Sequence, residues 1–129
     1  MGFVNFEIAK KIKDLGYNEP FFFFYRTDDH LIHHAMVSNP LIYGENIDNE
    51  VVIAPTISQV LYWLREKYSI HVSTKPYSCE YPCEEGIKWL YEIRKLNKYI
   101  TIAEANKAGF AREEHAVLAG IEYTLNNLI

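Results

Sequence analysis

The stretch "PTISQVLYWLREKYSIHV", Pro55 to Val72, constrains the fold more than any other part of the chain. It writes a helix start, a buried stripe and a following strand in consecutive residues. Thr56 with Gln59 three positions on forms a capping box, in which each side chain satisfies an amide at the helix start. Ile57, Val60, Leu61, Leu64 and Tyr68 fall within roughly 100° of arc at about 100° per residue, which is one buried face. Ile70, Val72 and Thr74 then alternate with His71, Ser73 and Lys75, the period of a half-buried strand that Pro76 ends. Tyr62 and Trp63 do not fit the stripe: Trp63 lies about 110° from its centre and Tyr62 about 150° the other way. Tyr62 is expected in water. Trp63 is expected either under the N-terminal elements of the same chain or at a surface that anchors a partner. These two are the candidate interaction residues.

The rest of the chain supplies elements on both sides of this segment. Asn5 can cap a helix running to about Leu15, with Phe6, Ala9, Ile12 and Leu15 on one face. Gly16 fits the left-handed position after a helix, and Tyr17 the apolar contact of a Schellman ending. "FFFFYRT", Phe21 to Thr27, is a strand of aromatic β-formers, and its five successive aromatics predict cover on both faces. Asp28-Asp29 predicts a turn. "HLIHHAMV", His30 to Val37, predicts a returning strand. Residues 38–50 collect Asn, Pro, Gly and Asp and predict a loop, after which Val51 to Ala54 delivers the chain to Pro55. Beyond the central helix and strand, Tyr77 to Gly86 predicts a loop. Ile87 to Leu96 and Tyr99 to Ala103 predict strands joined at Asn97-Lys98, and Glu104 to Gly109 a loop or short helix. Arg112 to about Asn127 predicts a last helix with Val117, Leu118, Ile121, Leu125 and Leu128 as its stripe. The order is α-β-β-α-β-β-β-α, which predicts an α+β fold with helices on antiparallel sheet. At 129 residues one domain, 1–129, is expected. Within it lie a helix and hairpin at 3–37, the loop 38–50, and a helix, three strands and a helix at 55–128.

Three of these stretches resemble a known group. "NFEIAKKIKDLGYNEP", "APTISQVLYWLREKYSIHV" and "EEHAVLAGIEYTLNNLI" are similar, in this order, to segments of a family of small uncharacterised phage and prophage proteins of Bacteroides and related gut bacteria. The resemblance covers under half of the chain and departs from the family at Arg112, where a Ser or Thr cap is expected. It implies an intracellular protein of a mobile element. It implies no activity and carries over no catalytic residue.

Composition narrows the remaining classes. The chain is 49% hydrophobic and 15% aromatic, which excludes general disorder. Its net charge of -4 argues against a dedicated nucleic-acid binder. No apolar run reaches the roughly 20 residues of a membrane span, and the N-terminus lacks the pattern of a signal peptide, so a cytoplasmic protein with two reduced thiols is expected. For metal, His30 and His34 can share one strand face with His33 on the other, and Cys79 and Cys83 are spaced C-x3-C. Four convergent ligands are needed, and the expectation is edge histidines and loop thiols, with no metal or other cofactor. No Gly-x-Ser-x-Gly elbow, glycine-rich phosphate loop or spaced carboxylate pair is present, so no catalytic residue is assigned. Helix, three strands and helix is the order of double-stranded-RNA-binding domains. Arg94, Lys95, Lys98 and Lys107 are the cations that would serve that alternative, but Glu113 and Glu114 at the start of the last helix would repel phosphate. The reading is a non-catalytic binding or interaction module whose partner is another protein or a second copy of itself.

Overall fold

A computed structural model describes residues 2–36, 39–40, 43, 51–78, 87–97, 100–104 and 109–129. The chain forms two compact units, Met1–Ile57 and Ser58–Ile129. The α+β class holds, and the expected order of elements is kept with one strand added.

The first unit starts with α1, Phe6–Asp14. Asn5 caps it, its side-chain oxygen accepting from the Ile8 amide at 2.9 Å. Its end is a Schellman motif: Tyr17 N–H donates to the Ile12 carbonyl and Gly16 N–H to that of Lys13, with Gly16 at φ 92°. Ile8, Ala9, Ile12 and Tyr17 are buried, so the apolar face is centred on Ile12 and leaves Phe6 and Leu15 at its margins. Strands β1 (Phe23–Arg26), β2 (Ile32–His34) and β3 (Val51–Ile53) form an antiparallel sheet of order β2-β1-β3. α1 packs on β3. The hydroxyl of Tyr25 donates to the Val4 carbonyl, and Phe6 meets the Tyr25 ring edge-on at 5.7 Å.

Three expectations change here. The returning strand is shorter than His30–Val37, because His30 takes φ 55° and donates its amide back to the Arg26 carbonyl, which keeps it in the turn. Val51–Ile53 is a strand and not only a connector, since the Val52–Tyr25 and Ile53–Phe24 registers place it beside β1. The aromatic run is covered incompletely. Phe21 and Tyr25 are buried, whereas Phe22 and Phe23 are exposed.

The second unit holds most of α2 (Ile57–Tyr68), then β4 (Ile70–Ser78), β5 (Ile87–Lys95), β6 (Ile100–Glu104) and α3 (Glu113–Asn127). The strands are sequential and antiparallel, β4-β5-β6. Ser69 at φ 55° turns the chain from α2 into β4 without a loop, and its carbonyl accepts from the Leu96 amide at 2.8 Å. α3 packs on β4 and β5. Gly120 makes that approach possible: a Cβ there would lie 2.7 Å from Val72 Cγ1 and 3.1 Å from Tyr91 Cβ. Thr124, fully buried one turn later, turns its hydroxyl back onto the Gly120 carbonyl at 2.8 Å. The buried stripe is therefore Ala116, Val117, Gly120, Ile121, Thr124 and Leu125, rotated away from Leu118 and Leu128. Arg112 holds the N-cap position with no side-chain hydrogen bond to the helix, as its residue type implies.

Candidate interaction surface

Among the described residues of the first unit, the exposed large apolar side chains gather on and beside β1 and β2. Phe22, Phe23, Leu31, Ile32 and Met36 are 37, 37, 61, 40 and 91% exposed. The backbone register explains how they are presented. Phe23 opposes His34, Phe24 opposes His33 and Tyr25 opposes Ile32. At the two ends of this ladder, Arg26 N–H donates to the Leu31 carbonyl and Ala35 N–H to the Phe22 carbonyl. Main-chain groups alternate sides along a strand. Leu31, His33 and Ala35 therefore face β1, while the N–H and C=O of Ile32 and His34 face outward. Among the described residues nothing pairs with that outer edge.

The opposite edge is treated differently. By the same alternation Val51 and Ile53 of β3 face outward. The Val51 carbonyl accepts from Lys13 Nζ at 3.1 Å, and the Ile53 amide donates to the Tyr43 hydroxyl at 2.5 Å. The Lys13 ammonium also lies 4.9 Å from the centre of the Tyr43 ring. Side chains thus seal β3, a common protection of sheet edges. β2 carries no charge of the Lys or Glu kind, no proline and no bulge.

The histidines are held separately. His30 stacks on Phe6 with ring centres 3.8 Å apart. His34 lies 4.8 Å from the Phe23 ring, and His33 stacks on Phe24 at 5.7 Å. His33 Nε2 also lies 2.9 Å from Asp29 Oδ2, while Asp29 Oδ1 accepts from the Leu31 amide. That amide, and then the His33 ring and Arg26, hold the Asp29 carboxyl below the usual carboxylate range. A depression of about 460 Å³ lies over this face, lined in part by Phe24, Arg26, His33 and Val51.

The other sequence candidates are placed as follows. His30 and His34 do not share a strand face, because His30 lies in the turn. Cys79 and Cys83 lie outside the described residues, and among those described no three metal-ligating side chains converge. Tyr62 is 59% exposed, as its angle predicts. Trp63 is 8% exposed, meets Tyr68 edge-on at 5.4 Å, and carries the Lys67 ammonium over its ring. The buried face of α2 is Ile57, Val60, Trp63 and Leu64, shifted towards Trp63 and away from the half-buried Leu61 and Tyr68. Arg94 Nε lies 2.5 Å from Glu92 Oε1, and Lys95 Nζ donates to the Tyr68 carbonyl at 2.8 Å, so both cations hold intramolecular partners. Lys98 and Lys107 lie outside the described residues. Glu113, at the start of α3, accepts from the Thr74 hydroxyl at 2.9 Å.

The sequence pattern singles out Tyr62 and Trp63 of α2 as interaction residues and does not single out Leu31, Ile32 or Met36. The available signal was the apolar "HLIHHAM" run itself, too long for the three-residue strand it contains. No helix among the described residues is long and apolar enough to cross a membrane. No family model, no curated protein and no solved structure matches the chain.

Proposed function

We propose that this chain is a non-catalytic interaction module of a phage-like element, acting inside the cell through protein–protein contact. The observation that carries this reading is the outer edge of β2, unpaired among the described residues, with its flanking Phe22, Phe23, Leu31, Ile32 and Met36. Taking a large apolar side chain as about 200 Å², these five together leave roughly 500 Å² of apolar surface in water, divided between the two faces at this end of the sheet. The phage-like origin is supported only by the three resembling stretches named above.

Two measurements test the reading. Sedimentation velocity over a hundredfold concentration range should show association, either with itself or on addition of a cognate protein. Titration with labelled duplex RNA and DNA at low salt should show no saturable binding. Affinity that falls steeply with added salt would move the protein to the nucleic-acid class.

A further inference from the structure

We propose that β2 is a homodimerisation strand, which pairs antiparallel with β2 of a second copy about a two-fold axis through His33. This rests on the interaction-module reading and names its partner.

The geometry favours a second copy on three grounds. The first is main-chain complementarity. The outward groups belong to Ile32 and His34, one residue either side of His33. Antiparallel pairing about His33 sets Ile32 against the partner's His34 and repeats the pair across the axis. Four main-chain hydrogen bonds form, with His33 facing the partner's His33 at the close, non-bonded position. An isologous contact needs such a self-matching patch.

The second ground is charge. A strand that meets its own copy cannot carry unpaired like charge near the axis, because like charges directly opposite destabilise a pair. Ile32 has none. The acidic group nearest β2, Asp29, is held by contacts within its own chain, to the Leu31 amide and the His33 ring, and Asp28 is matched to Arg26 at 3.0 Å. β2 itself thus sets no lysine, arginine or carboxylate against its copy.

The third is area. The roughly 500 Å² of exposed apolar side chain around β2 approaches the roughly 800 Å² that each partner gives to a standard interface. It falls below what an obligate dimer uses. A weak, reversible dimer follows. The same register carries Met36 towards the partner's His30. In each chain the His30 ring lies flat on Phe6, a surface on which a thioether packs well.

The test uses two full-length variants, Ile32→Lys and the double variant Ile32→Lys/His34→Glu. Both side chains are exposed, so each variant should keep the circular dichroism spectrum and melting temperature of the parent. In sedimentation velocity the parent should dimerise. The single variant should weaken dimerisation roughly tenfold or more, because two lysines enter the strand pair. The double variant should recover most of it, since each new lysine faces the partner's new glutamate only in this register. Equal dimerisation by all three proteins overturns the β2 pairing but leaves self-association standing. A strict monomer at every concentration overturns both. Loss in the single variant without recovery in the double overturns the antiparallel register. A single variant that fails to fold shifts the test to His34→Glu alone, whose glutamate enters the same pair and must weaken the dimer.

Discussion

Gly120→Ala separates what helix propensity says from what packing says. In an exposed helix this change stabilises by about 1 kcal/mol, because glycine is a poor helix former. At Gly120 the added methyl would meet Val72 Cγ1 at 2.7 Å and two Tyr91 carbons at 3.1 Å. Val72 is buried and β-branched, so it cannot swing aside. Tyr91 is pinned between Phe110 and Tyr123, with ring centres 6.5 and 6.2 Å away. The methyl must therefore push α3 off β4 and β5. Overpacking of this kind costs about 1–3 kcal/mol, which leaves a net loss of about 0–2 kcal/mol after the propensity gain. For a chain of this length that is a fall in Tm of up to about 8 °C. Urea unfolding followed by far-UV circular dichroism measures it. Pairing Gly120→Ala with Val72→Ala supplies the control, because removing Cγ1 removes the clash. The double variant should lose less than the two single losses added, by about 1 kcal/mol. A Gly120→Ala protein more stable than the parent, or strict additivity in the cycle, refutes the close-approach argument.

Two further outcomes follow from backbone and burial. Ser69 occupies φ 55° between α2 and β4. Ser69→Gly should be neutral to about 1 kcal/mol stabilising in the same urea assay, and Ser69→Val clearly destabilising. Tyr17 and Tyr43 are both pushed up to about 12, in each case chiefly by burial. An unfolded tyrosine titrates near 10. The unfolded state therefore sheds these protons first, so the stability they contribute is intact below about pH 10 and is lost as pH rises towards about 12. Thermal melts between pH 9 and 12 should show a decline that is shallower in Tyr17→Phe, and an equal slope in both proteins would contradict it.

Local rules explain why some of this fold was legible in the sequence. The Asn5 cap and the Gly16–Tyr17 ending of α1 depend on neighbours in the chain, and both formed with the residues named for them. The order of helices and strands likewise follows from periodicity. Faces were less legible, because a stripe is set by what it packs against. α2 turned towards Trp63, and α3 turned towards Gly120 and Thr124, two residues that no hydrophobicity pattern selects. β3 was missed because three residues give no alternation to count. That the outer edge of β2 is unpaired among the described residues is a tertiary fact. It depends on β3 taking the other side of β1, and on Lys13 and Tyr43 sealing β3 instead of β2.

The most direct test of the central claim, that the outer edge of β2 is a pairing surface, is amide hydrogen exchange read residue by residue at low and high protein concentration. His33 faces β1 by the ladder's alternation and should be protected at both. The amides of Ile32 and His34 should exchange freely when dilute and become protected as protein concentration rises. Rapid exchange of both at every concentration would contradict the account.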